Sequence, residues 1–123
     1  MRLVEINPRD VQRVFPSFYH QDSRFFMIAY KDRDVGIYGV KSLDKDVCEI
    51  SLCIFEEYRY KLPYKTGLKL VLNYPFTIGF AKILISTVEK SIITLLRQCR
   101  SLGVKYIGYD SNTGKVWFKV ERP

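Results

Sequence analysis

The sequence predicts a mixed α/β fold, a mostly antiparallel sheet flanked by helices. Three observations lead there. Three apolar segments, Arg24–Tyr30, Val35–Lys41 and Val47–Phe55, are separated only by short polar turns, the pattern of an antiparallel meander. After Phe55 the hydrophobic period changes from the two-residue repeat of strands to the longer repeat of helices. The chain then closes with two alternating segments, Val104–Tyr109 and Lys115–Glu121, around the hairpin-type loop Asp110-Ser111-Asn112-Thr113-Gly114. A length of 123 residues fits one domain covering 1–123, large enough to bury a core without disulfide staples.

The elements follow in order. Leu3–Ile6 reads as a short strand. Asn7 can cap a helix with Pro8 at its first position, where a missing N–H costs nothing. That helix, Arg9 to Val14, stops before Pro16, and Pro16–Ser23 is polar and aromatic loop. Asp32-Arg33-Asp34 turns the chain between the first two meander strands, and Ser42–Asp46 between the second and third. Thr66–Asn73 carries Leu68, Leu70, Val71 and Leu72 and suits a helix laid on a sheet, with Pro75 kinking or ending it. Lys82–Thr87 is a buried strand. In Ser91–Ser101, residues Ile92, Leu95, Leu96, Cys99 and Leu102 fall on one helical stripe. Arg97 and Arg100 lie off the stripe near the cation-favouring C-terminus, and Gly103 terminates the helix.

Composition narrows the partners. Twenty Lys+Arg against thirteen Asp+Glu leave a formal charge of +7, which favours an anionic partner: CoA, nucleic acid or an acidic protein surface. Cys48, Cys53 and Cys99 lack metal-type spacing and read as free thiols of a reducing compartment, and His20 is the single histidine, so no metal site is expected. No apolar run has the length of a signal or a membrane span, which points to a cytoplasmic protein with no membrane partner. Trp117 and Phe118 of the closing hairpin read as packing residues, with stacking on a base or ring as the alternative.

The junction after the third meander strand holds the candidate chemistry. Ile50, Leu52 and Ile54 point to one face of that strand, while Glu49, Ser51, Cys53 and Phe55 point to the other. Glu57-Tyr58-Arg59-Tyr60-Lys61-Leu62-Pro63-Tyr64-Lys65-Thr66 then leads into a helix. Backbone N–H groups at a strand-to-helix junction, backed by the helix dipole, suit an anion such as a pyrophosphate. Arg59, Lys61 and Lys65 add full charges, and Thr66 is placed to cap the helix. The alternative for the same stretch is a solvated basic loop, since Pro63 lacks a donor and Leu62 does not readily take a positive φ.

These residues, in this order, resemble the GNAT N-acetyltransferases, especially the compact phage-encoded members and the ribosomal-protein acetyltransferase branch. Glu57-Tyr58-Arg59-Tyr60-Lys61 resembles the family's E-Y-R-G-K-G entry into its CoA-binding turn. Leu72-Asn73-Tyr74-Pro75-Phe76 with Gly79-Phe80-Ala81-Lys82-Ile83 resembles its helix-to-strand passage. Leu102-Gly103-Val104 followed by Gly108 resembles the L-G-F motif at the last helix. The resemblance covers roughly Phe25 to Val120 and implies a GNAT-like fold with direct acetyl transfer from acetyl-CoA to an amine or protein acceptor. Carried onto this chain, it places the pyrophosphate turn on Arg59, Tyr60, Lys61, Leu62, Tyr64, Lys65 and Thr66, and the pantetheine edge on Cys53, Ile54 and Phe55. It places a general base at Glu49 and a general acid at Cys99.

The chain departs from the family pattern at four positions. Leu62 and Tyr64 stand where the turn has glycines, Ile92 where the last helix has an asparagine, and Cys99 where many members have a tyrosine. These departures favour a second reading, a catalytically inactive GNAT-fold phage protein with a structural or host-protein-binding role. A third reading, a basic nucleic-acid-binding module, rests on charge and aromatics without a recognised motif.

Overall fold

A computed structural model describes residues 1–123. Its strands are β1 (Arg2–Ile6), β2 (Ser23–Tyr30), β3 (Arg33–Ser42), β4 (Val47–Ile54), β5 (Lys82–Thr87), β6 (Lys105–Asp110) and β7 (Lys115–Glu121). Its helices are α1 (Pro8–Val14), α2 (Tyr64–Thr77) and α3 (Lys90–Gln98), with single 3₁₀ turns at Glu56–Tyr58 and Arg100–Leu102. One sheet runs in the order β1-β2-β3-β4-β5-β7-β6. Every neighbouring pair is antiparallel except β4 with β5. The mixed α/β sheet expected from the sequence is therefore present, with β7 inside the sheet and β6 at its edge.

Local chemistry explains the ends of the elements. Asn7 caps α1 by accepting the Arg9 amide at 2.9 Å, with Pro8 at the first helical position. The turn between β2 and β3 lies one residue earlier than expected, on Lys31 and Asp32, because both take positive φ (51° and 61°). Two such residues make the tight hairpin whose twist matches its strands. The long last helix expected over Ser91–Ser101 ends at Gln98. Cys99 leaves helical geometry, the chain tightens into the 3₁₀ turn, and Gly103 closes it at φ 80°.

The helices divide the core between the two faces of the sheet. The larger cluster joins Ile50, Ile83, Ile85 and Phe118 of the sheet to Leu68, Val71 and Leu72 of α2 and Ile92 and Leu96 of α3. The smaller cluster, Val11, Phe25 and Ile37, lies under α1 with Phe15, Phe18, Cys53 and Phe55 packed around it. Each aliphatic or aromatic side chain buried this completely contributes about 1.5–3 kcal/mol. Trp117 is half-buried and Phe118 fully buried, both as packing residues.

Pro75 does not end α2, which continues to Thr77. A proline here removes the N–H that would bond the carbonyl four residues back, that of Val71. The buried Tyr38 hydroxyl donates to that carbonyl at 2.7 Å, so the vacant acceptor and a phenol that needs a partner satisfy each other. No helix is long and apolar enough to cross a membrane.

Candidate active site

The parallel β4–β5 ladder pairs Val47 with Lys82 through Ile50 with Ile85 and goes no further. β4 continues to Ile54, still paired with β3, and β5 continues to Thr87, still paired with β7. The two strands therefore splay, and the β5-facing edge of Ser51–Ile54 has no strand opposite it. Helix α2 follows β4 after the turn 55–63 and α3 follows β5 after residues 88–89, and Leu62, Tyr64 and Gly67 at the start of α2 lie against Leu52 and Ile54 of the unpaired stretch.

A cleft of about 710 Å³ opens beside the gap on the α1 face of the sheet. Glu49, Ser51 and Cys53 form its floor, with Lys41 on the β3 side. Ser86, Thr87 and Glu89 at the end of β5 and Lys115 at the start of β7 form the far wall, and Ser17, Phe18 and His20 cover it from the loop after α1. Of the residues expected to act, Glu49, Cys53 and Arg59 come together here. Cys99 does not. It is fully buried in the larger core cluster, and burial raises its thiol pKa above the usual range. Cys53 is half-buried, and its thiol is raised first by burial and then by the nearby Glu89 charge. Phe55 lies toward α1, its ring stacked on Phe15 at 5.9 Å.

The turn from Arg59 to Thr66 is anchored by its own side chains. Arg59 donates through Nε to the Ile54 carbonyl at 3.1 Å and pairs through Nη2 with Glu89 Oε1 at 2.9 Å. Its guanidinium thus bridges the end of β4 to the start of α3. Glu89 also accepts from the Ser91 hydroxyl at 2.5 Å. Tyr60 takes φ 65°, and its amide donates to the Tyr64 hydroxyl. Neither Leu62 nor Tyr64 takes a positive φ; both are half-buried and pack against the larger core cluster.

Thr66 does not cap α2. The helix begins two residues before it, with Pro63 at the cap position and no side-chain cap. Proline's fixed φ, here −73°, already suits helix entry, so the start moves forward and Thr66 falls inside the first turn. The first helical amide with a backbone partner is Gly67, bonded to Pro63 at 3.1 Å. The amides of Tyr64, Lys65 and Thr66 therefore remain open donors, with Lys61 and Lys65 exposed beside them.

Lys41, Glu89 and Lys115 line the cleft without belonging to any motif of the sequence, and His20 enters it from the loop after α1. Lys41 had a legible signal, because the Ser42–Asp46 turn sets it opposite Glu49. Lys115 and Glu89 reach the cleft only through the order β4-β5-β7, which no local pattern encodes.

Similarity to solved structures supports the same fold. A GNAT family acetyltransferase from Elizabethkingia anophelis, solved with acetyl-CoA bound, superimposes at TM-score 0.72 over 98% of this chain and 97% of its own, with 12% identity. An IAA acetyltransferase from Bacillus cereus matches at TM-score 0.74 over 98% and 99%, with 14% identity. A spermidine/spermine N-acetyltransferase from Vibrio cholerae matches at TM-score 0.73 over 98% and 92%, with 13% identity. No protein-family model and no curated protein matches the sequence. The fold is that of the GNAT acetyltransferases.

Proposed function

We propose that this chain is an N-acetyltransferase that moves an acetyl group from acetyl-CoA to an amine. One observation carries the reading: β4 and β5 part beside a cleft floored by Glu49, leaving an unpaired strand edge where an extended, amide-bearing chain can lie. The acetyl-CoA bound in the Elizabethkingia anophelis relative supports this choice of donor.

The residues present fit such a molecule. The free edge of Ser51, Leu52 and Cys53 offers backbone groups to the amides of pantetheine. The open first-turn amides of α2, with Lys61 and Lys65, offer donors and charge to the diphosphate. Acetyl-CoA supplies a thioester carbonyl, at which an N–C bond forms as the C–S bond breaks and CoA leaves as a thiolate, which is then protonated by water or by the proton that Glu49 has taken up. Glu49 takes the proton lost by the attacking amine, directly or through one water. Ser51, Ser86 and Thr87 orient the acceptor through their hydroxyls. Cys99 has no part in this scheme.

The experiment is calorimetry and thermal unfolding with acetyl-CoA, followed by turnover of Glu49→Gln. Binding should stabilise the fold by about 2.7 kcal/mol at a hundredfold excess over Kd. The variant should keep that affinity and lose about 10²–10⁴-fold in kcat. Full turnover by Glu49→Gln would remove the base assignment.

The anchoring of the turn favours a second reading. Arg59 is engaged by Glu89, the Tyr60 amide by Tyr64, and Leu62 by the core. A GNAT-fold protein of the compact phage type, acting by binding another protein in the cytoplasm, needs no open turn. Absence of any thermal shift at millimolar acetyl-CoA selects that reading.

A further inference from the structure

We propose that the acceptor is a small amine carrying a carboxylate or phosphate a few bonds from its nitrogen, an inference that rests on the transferase reading above. The charges of the cleft argue for it. The molecule's ion pairs are Arg13–Asp10, Arg24–Glu5, Arg59–Glu89 and Lys119–Glu121. Arg59 and Glu89 therefore neutralise each other within the cleft wall, while Lys41, Glu49 and Lys115 are unpaired.

Sheet order arranges these three. Lys41 of β3 is the register partner of Glu49 on β4, so the two share a face. Lys115 opens β7, beyond β5, beside the Val116–Thr87 pair. In the order β3-β4-β5-β7, one unpaired carboxylate thus stands between two unpaired ammonium groups. The amine of the acceptor belongs at Glu49, which removes its proton, and an anionic group on the same molecule belongs at Lys41 or Lys115. A polycation would meet two lysines for one free carboxylate, on a protein whose net charge is +7. The cleft volume, about 710 Å³, is in the range of small-molecule sites.

The test uses matched amines with the intact chain. Phosphoethanolamine is compared with ethanolamine, β-alanine with propylamine, and spermidine stands for polycations. Acetylation is read by thiol release, and amine binding separately by NMR shifts of the Glu49 and Lys115 signals. An anionic amine should exceed its neutral partner and spermidine at least about tenfold in kcat/KM, with the advantage falling as salt rises. The first pair tests the phosphate and the second the carboxylate. Lys41→Gln or Lys115→Gln, whichever lysine holds the anion, should raise KM for the anionic amine about tenfold, and both should leave KM for the neutral amine in place. Equal or reversed preference, or unchanged KM in both variants, overturns the proposal. If acetyl-CoA does not bind, the transferase reading fails, and the NMR comparison still decides whether the cleft selects anionic amines.

Discussion

The two ends of α2 were made by opposite rules. At its C-terminus the carbonyls of Asn73, Tyr74, Pro75 and Phe76 all have partners. Thr77 Oγ1 donates to Asn73, the Ile78 amide to Tyr74, the Phe80 amide to Pro75, and the Gly79 amide and Arg122 to Phe76. Even the acceptor orphaned by Pro75 is met by Tyr38. At its N-terminus no side chain caps the helix, three amides stay open, and Tyr60 holds a left-handed backbone without a glycine. Satisfied ends hold a fold together, whereas open donors and local strain gather where a ligand is to be received. The contrast predicts that changes at the first end move stability, and changes at the second move binding.

The largest effect should come from Tyr38→Phe. It leaves the buried Val71 carbonyl without a partner, which costs about 1–3 kcal/mol in chemical denaturation. Acetyl-CoA affinity of the folded fraction should be unchanged. A loss of affinity matching the loss of stability would show that the two ends are not separable. Next comes the cycle with Pro75→Ala, which restores an N–H able to reach the same carbonyl. In the Tyr38→Phe background this change should be more favourable than in the parent by about 1 kcal/mol. Strict additivity of the two substitutions would break the account of why the helix passes through its proline.

What the sequence could show follows the same division. Strands, hairpins and the stripe of Ile92, Leu96 and Cys99 were legible because burial writes them as periodicity. The persistence of α2 past Pro75 was not, since the Val71 carbonyl it leaves open is met by the Tyr38 hydroxyl, 33 residues from Val71. Glu49 and Cys53 were readable as cleft residues from the alternation of β4. Cys99 lies on that same stripe, so its burial was legible too, and only the resemblance pointed to an acid there. Glu89 and Lys115 depended on sheet order. Arg59 was legible as a cation at the junction, and its engagement by Glu89 was not.

A smaller effect tests the strained end. Tyr60 at φ 65° pays the steric cost of a side chain in the left-handed region, about 1–2 kcal/mol. Tyr60→Gly removes that cost but frees the unfolded chain, so the net gain in stability should be about 0.5–1 kcal/mol. Denaturant midpoints with equal slopes for the two proteins would report it. A decrease would mean that the exposed Tyr60 side chain makes a contribution larger than its backbone strain.

The smallest change in stability, and the sharpest division between the two cationic parts of the turn, is expected from Arg59→Gln. The Arg59–Glu89 pair is partly exposed, with 36% of the arginine side chain and 15% of the glutamate reaching solvent, so its loss should cost under about 1 kcal/mol. Its effect on acetyl-CoA should nonetheless differ from that of the neighbouring lysines. The guanidinium is already committed at both ends, to the Ile54 carbonyl and to Glu89, and it bridges the mouth of the gap through which pantetheine would pass. Arg59→Gln should therefore leave the calorimetric Kd for acetyl-CoA unchanged or lower. Lys61→Gln with Lys65→Gln should raise it about fivefold to tenfold, by removing free charge beside the open amides of α2. If Arg59→Gln weakens binding as much as the lysine pair does, its bond to Glu89 must exchange for one to the diphosphate when the ligand arrives. The N-terminal end of α2 would then rearrange on binding, unlike the C-terminal end fixed by Tyr38.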